Sequence, residues 1–264
     1  MERIVITSTR NSRIGDVLEL QEKSRERRTQ GLFVVEGLRE ITLALSSGHT
    51  IETLFVCENL GGFERFKAAY DLPKHVYMVT AEVFAKMAYR ENSDGLLAVV
   101  PARNLKLVDV RLSTNPFVIV LESVEKPGNL GAVLRTADAA NVDAVVICDP
   151  LTDLYNPNVI RSSVGCIFTQ QVAACSSEDA LQWLHANGIK TFAAELQAAQ
   201  WYHETDFTQP SAIVMGTEAA GLTDFWLQQA DTRIKIPMRG KIDSLNVSVS
   251  TAVLTFEAMR QRGF

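Results

Sequence analysis

The residues of this chain best suited to chemistry fall in three short segments of its second half. The first is Glu122-Ser123-Val124-Glu125-Lys126-Pro127-Gly128-Asn129-Leu130-Gly131. The second is Gly216-Thr217-Glu218-Ala219-Ala220-Gly221-Leu222-Thr223, and the third runs from Ile236-Pro237-Met238 to Ser244-Leu245-Asn246. Each follows a strand-like apolar run and opens a helix-like stretch. Their small polar side chains therefore sit beside free backbone N–H groups at helix starts, which suits binding and orienting a ligand.

Each segment also has an ordinary reading. In the first, Gly128 and Gly131 do not complete GxGxxG, so a nicotinamide or flavin dinucleotide site is not expected. Asn129 could be a helix N-cap, and Arg135 a solvated cation paired with Asp138 three residues on. Alternatively, Arg135 grips a phosphate. In the second, the glycine spacing copies the phosphate loop GxxxxGK[ST], but Leu222 stands where the lysine must be, which disfavours ATP hydrolysis. Glu218 could rest on a helix N-terminus, or it could orient polar groups of a flat ligand that approaches the glycine backbone. In the third, Asp243, Ser244 and Asn246 are all good N-caps and Leu245 could be core. Three such loops at the carboxyl edge of one parallel sheet point to a site.

The elements that must position these loops follow from periodicity. The spacing predicts strands at 117–121, 144–148, 168–173, 189–193, 212–215 and 233–236, with helices at 130–140, 157–164, 178–186 and 222–229. Ala252, Val253, Phe256 and Met259 space a final helix. Uniformly apolar strands of this kind are covered on both faces, as in a parallel sheet between helices. The first hundred residues predict a smaller α/β domain, with helices at 13–30, 38–46, 63–70 and 81–88 and strands at 32–36, 51–57, 75–79 and 96–100. The stretch 102–115, flanked by Pro101 and Pro116, separates a domain of residues 1–101 from one of residues 116–264.

Composition narrows the class. The 264 residues, 47% of them hydrophobic, can bury a sizeable core, and no apolar stretch reaches the roughly 18 residues of a membrane span. The start carries no signal-peptide pattern, so a cytoplasmic protein is expected. The four cysteines, Cys57, Cys148, Cys166 and Cys175, form no CxxC and read as reduced, buried thiols. The histidines form no HExxH and pair with no cysteine, so no metal site is expected. A formal net charge of -5 argues against coating of nucleic acid by bulk charge, while leaving room for a local basic patch. Such a patch could lie among Arg10, Arg13, Lys23, Arg25, Arg27, Arg28 and Arg39. Interleaved Asp16, Glu19, Glu22, Glu26 and Glu36 offer the alternative of locally paired charges.

With these residues in hand, the chain resembles the SpoU-type RNA ribose 2'-O-methyltransferases of the SPOUT superfamily. The likeness rests on Pro127-Gly128-Asn129-Leu130-Gly131 through Arg135-Thr136-Ala137, on Met215-Gly216-Thr217-Glu218-Ala219-Ala220-Gly221-Leu222, and on Ile236-Pro237-Met238 with Ser244-Leu245-Asn246-Val247-Ser248-Val249. Asn11-Ser12-Arg13 and Phe33-Val34-Val35-Glu36-Gly37 are similar, less specifically, to the RNA substrate-binding domain often attached to this family. The resemblance implies a parallel sheet threaded into a deep trefoil knot, a homodimer through the C-terminal domain, and S-adenosylmethionine as cofactor. Gly216, Ile236 and Leu245 match positions that contact the cofactor mainly through backbone, and Thr217, Met238 and Asn246 would line the same pocket. Arg135 would clamp a phosphate and activate the hydroxyl, because an arginine is too weak an acid to serve as a base at neutral pH. Asn129, Glu218, Ser244 and Asn246 would orient the hydroxyl, Arg135 and one another.

The seven basic residues of the N-terminal segment are then the candidates for RNA phosphates. Ribosomal RNA is expected over transfer RNA as substrate. The alternatives are a non-catalytic RNA-binding or ribosome-assembly protein with this fold, and a nucleotide-dependent α/β enzyme. Trp201, Tyr202 and His203 could stack on bases, or pack locally.

Overall fold

The computed structural model describes residues 4–263; Met1–Arg3 and Phe264, which close the two expected domains, lie outside them. The chain divides into two compact units, residues 1–103 with 153–169, and 104–152 with 170–264.

The first unit begins with β1 (Ile4–Ile6), α1 (Ser12–Glu22), α2 (Ser24–Gln30), β2 (Leu32–Glu36), α3 (Leu38–Ser46) and β3 (Thr53–Val56). It continues with α4 (Gly62–Ala69), β4 (His75–Val79), α5 (Ala81–Met87) and β5 (Leu96–Pro101). The strands form a mixed sheet in the order β1-β4-β3-β5-β2. Its core gathers Ile14, Val17, Phe55, Val83, Phe84 and Leu97 from helices and strands alike.

The helix expected over 13–30 is broken at Lys23, whose backbone is extended (φ -110, ψ 109). The break lets Arg27 fold back and donate from Nη1 to the carbonyls of Leu20 at 2.6 Å and Gln21 at 2.9 Å. Carbonyls at the end of α1 that lack an intrahelical donor are thereby met.

The second unit opens with β6 (Phe117–Glu122), α6 (Pro127–Ala139) and β7 (Ala144–Cys148). The chain then contributes α7 (Pro157–Ser162) and α8 (Cys166–Thr169) to the first unit. A single boundary at 102–115 therefore does not describe the packing. Phe168, expected in a strand, lies in α8 because its ring packs against Phe33 and His49, with centroids 6.0 and 5.3 Å away.

The second unit resumes with β8 (Val172–Cys175), α9 (Ser177–Ala186), β9 (Lys190–Ala194), β10 (Gln200–Trp201) and β11 (Ser211–Met215). It ends with α10 (Asp224–Gln229), β12 (Thr232–Lys235) and α11 (Val247–Arg262). Its seven strands run in the order β10-β12-β9-β11-β6-β7-β8, and every pairing between them is parallel. The uniformly apolar strands β6, β7 and β11 are buried along their whole length, as a sheet covered on both faces requires.

One helix differs in orientation from expectation. α11 packs on α6 and β11 through Val247, Thr251, Leu254, Thr255 and Ala258. Thr251 can be buried because its hydroxyl donates back to the Val247 carbonyl at 2.7 Å. Val249 and Phe256 of the other face remain 48% and 42% exposed. Of the cysteines, Cys57 and Cys148 are buried, whereas Cys166 and Cys175 are only half-buried; all four are free thiols.

Candidate active site

In a parallel sheet all strands deliver their following loops to one edge, and β6, β11 and β12 carry the three segments singled out above. The first loop leaves β6 at Glu122. This buried carboxylate accepts the Thr223 N–H at 2.8 Å and the Thr223 hydroxyl at 2.6 Å, tying the end of the second loop to the end of β6. α10 therefore starts at Asp224 and not at Leu222.

The second loop folds on itself. Thr217 and Gly221 exchange backbone hydrogen bonds of 3.0 and 3.1 Å, and Gly221 has φ +70. A Cβ on Gly216 would stand 2.1 Å from the Gly221 carbonyl carbon, so the loop's own backbone demands glycine there.

α6 starts at Pro127, which makes Lys126 the cap position and puts Asn129 in the first turn, not at the N-cap. There its Nδ2 donates to Glu218 Oε1 at 2.7 Å. Asn246, the N-cap of α11, accepts the Ser248 N–H on Oδ1 at 2.9 Å, which turns its Nδ2 outward. That Nδ2 donates to Glu218 Oε1 and, at 3.2 Å, to Asn129 Oδ1. Lys126 Nζ bonds the other Glu218 oxygen. Hydrogen bonds from Lys126 and then Asn129 hold the Glu218 carboxyl below the usual carboxylate range, so it is an anion and a poor proton acceptor near neutrality.

Beside this cluster lies a cavity of about 440 Å³. Gly216, Thr217, Ile236, Met238 and Leu245 all line it, as do Glu218 and Ser244. Asn129, Arg135 and Asn246 do not. Arg135 is exposed on α6 with no ion pair to any described residue, and the Ser244 hydroxyl donates to Asp243 at 3.0 Å. The structure thus joins Asn129, Glu218 and Asn246 directly, and leaves Arg135 and Ser244 outside that hydrogen-bonded group.

A cavity of this volume is in the range of small-molecule cofactor sites. Met215, Leu222, Ile234, Ile236 and Leu245 give it an apolar wall, and Glu195, Gln197, Thr217, Ser244 and Ser250 a polar edge. That combination fits a ligand with one flat apolar part and several hydroxyl or amino groups.

The SpoU rRNA methylase family model matches residues 116–256, more than half of the chain. This chain belongs to the SpoU rRNA methylase family. A model of the MRM3-like substrate binding domain matches residues 11–98. The 23S rRNA (guanosine(2553)-2'-O)-methyltransferase RlmP of Bacillus subtilis is 29% identical over 251 residues, covering 95% of this chain and 97% of its own. The crystal structure of an RNA 2'-O ribose methyltransferase, 39% identical, covers 99% of this chain and 100% of that one with a TM-score of 0.86. The AdoMet-bound rRNA methyltransferase of Sinorhizobium meliloti, 29% identical, covers 97% of each with a TM-score of 0.86.

Within this SpoU chain the seven basic residues of the first unit separate. Arg10, Arg13, Arg25, Arg28 and Arg39 are exposed, and Arg13 lies over the Tyr77 ring. Lys23 is exposed but paired with Glu19 at 2.7 Å. Arg27 cannot meet a phosphate: it is 4% exposed and donates from Nε to Asp153 at 2.6 Å. Trp201 stacks on His203 and carries Lys235 Nζ 4.5 Å above its ring, so this aromatic group packs locally.

Lys126, Glu122 and the Glu195–Gln197 stretch were not foreseen as site residues. Lys126 stood in a loop already marked for chemistry, and the missing signal was its partner 92 residues away.

Proposed function

We propose that this protein transfers the methyl group of S-adenosylmethionine to a ribose 2'-hydroxyl of ribosomal RNA. The observation that carries this reading is the junction of the Asn129–Glu218–Asn246 cluster with the cavity, Glu218 belonging to both. The family membership and the full-length relatives that act on RNA ribose support it.

The cofactor supplies a methyl group on a positively charged sulfur, ready for in-line displacement. The protein's task is alignment. The apolar wall would hold the base of the cofactor, and the backbone of Gly216, Ile236 and Leu245 its polar edges. Asn129 and Asn246 fix Glu218 in one orientation, so the cluster can aim the substrate hydroxyl. Arg135, exposed and without an ion pair among the described residues, would clamp the adjacent phosphate and stabilise the charge that develops on the oxygen. The proton would leave to substrate phosphate or water, since Glu218 is held as an anion by its donors. Ser244 would reach the hydroxyl only through a shift from its bond to Asp243.

The first unit would select the RNA, with Arg10, Arg13, Lys23, Arg25, Arg28 and Arg39 facing phosphates. The chain between β12 and α11, the helix that packs on α6 and β11, would close the trefoil knot. Val249 and Phe256 on the outer face of α11 support a homodimer through the second unit. Among the described residues no helix is long and apolar enough to cross a membrane. Action on ribosomal RNA would place the protein in the cytoplasm.

The test is Arg135→Ala. Methyl transfer should fall at least about 100-fold while affinity for S-adenosylhomocysteine stays at the wild-type value. Equal loss of both would contradict the division of labour.

A further inference from the structure

The hydrogen-bonded cluster beside the cavity contains a cation. Asn129 and Asn246 are neutral and Arg135 lies outside the group, so among the described residues the positive charge bonded to Glu218 is that of Lys126. Lys126 stands at the N-cap of α6, directly before Pro127. Its backbone is set by the helix start, while its side chain is 67% exposed. The two Glu218 oxygens are used unequally. Oε1 accepts the amide nitrogens of both Asn129 and Asn246, which fills its two lone pairs, and Oε2 accepts Lys126 Nζ. An ammonium has three N–H donors, and this bond uses one of them. The other two have no partner among the described residues.

An exposed ion pair adds little to stability, so folding is a weak reason for this one. Substrate charge is a stronger reason. A site that keeps a carboxylate ionised and also admits a polyanion needs a cation beside that carboxylate, because like charges brought together repel. We infer that Lys126 binds a phosphate of the substrate RNA beside the reacting ribose while it stays bonded to Glu218, an inference that rests on the methyl-transfer reading of this site. Its two remaining donors would take phosphate oxygens, and the positive end of the α6 dipole favours an anion there. The bond to Oε2 would then fix that phosphate relative to the carboxylate that aims the hydroxyl. A backbone phosphate carries no base identity, so the contact would position the strand and read no sequence.

The test compares full-length Lys126→Met and Lys126→Arg with wild type in methyl transfer to ribosomal RNA from cells lacking the gene, over a series of potassium chloride concentrations. Lys126→Met keeps the length of the side chain and removes its charge and donors. Its KM for RNA should rise about 10-fold. The slope of log KM against log salt should fall by about 0.7, the share of one phosphate contact on a single strand. Lys126→Arg should restore both, and S-adenosylhomocysteine should bind both variants as it binds wild type. A Lys126→Met enzyme with lowered kcat but wild-type KM and salt slope would make Lys126 a support for Glu218 alone and overturn the inference. Weaker S-adenosylhomocysteine binding by Lys126→Met would place the ammonium on the cofactor and overturn it as well. Absence of transfer to ribosomal RNA by wild type would remove the methyl-transfer reading and this inference together. Unchanged thermal unfolding of both variants excludes misfolding as the cause of any loss.

Discussion

Asn246 uses both ends of one amide. Its oxygen caps α11 on the Ser248 N–H, and that bond leaves the nitrogen to hold Glu218 and Asn129. The ordinary capping reading thus holds for this residue, and the cap itself places the amide nitrogen on the proposed site cluster. Glu218 is the hub, and its donors keep it ionised. With a folded-state pKa lowered from the ordinary value, the carboxylate's contribution is complete above about pH 4.3 and is lost only as the pH falls through the depressed value. Glu218→Gln should therefore lower kcat by about 100-fold through misorientation. It should leave the shape of the kcat profile between pH 6 and 9 unchanged. Loss of an inflection near neutrality in that profile would make Glu218 a proton acceptor after all. Residue type and loop position make Asn129, Glu218 and Asn246 candidates beside an ordinary capping reading, and their proposed orienting roles come from the family resemblance. Arg27 cannot be read this way: in a basic run it looks like a phosphate ligand, and the burial that excludes it is created by Asp153, 126 residues away.

At the scale of elements, the alternation of strands and helices followed from apolar periodicity, and most boundaries shifted by one or two residues. The larger departures have physical causes. The break at Lys23 lets Arg27 turn back to meet carbonyls at the end of α1. α11 is apolar on two faces, so periodicity could not say which one the sheet would take, and the sheet took the one with Thr251 and Thr255. The second loop resembles a phosphate loop in spacing, but Gly216 is required by the approach of Gly221 within the same turn. Gly216→Ala should force that turn apart, costing about 1–3 kcal/mol of stability. Binding of S-adenosylhomocysteine should be lost with it. Thermal unfolding and calorimetry read the two effects, and an alanine variant with wild-type affinity would show that the turn does not shape the cavity.

For the whole molecule, the exposed side of α11 carries the prediction of assembly. Val249 and Phe256 lie one heptad apart and outward, on a helix whose opposite face is already buried. Phe256→Asp should weaken the proposed homodimer at least about 100-fold in sedimentation equilibrium, because a charge replaces apolar area on the face assigned to the contact. A wild-type protein that sediments as a monomer at micromolar concentration would rule out the proposed dimer.

Ribose methylation of ribosomal RNA is read out by the transferred label itself. The protein is incubated with tritiated S-adenosylmethionine and either ribosomal or transfer RNA from cells lacking the gene, and the RNA is digested to nucleosides. Label is expected in a 2'-O-methylated nucleoside from ribosomal RNA and none from transfer RNA. Label in a base-methylated nucleoside, label from transfer RNA alone, or no label in either RNA would contradict it.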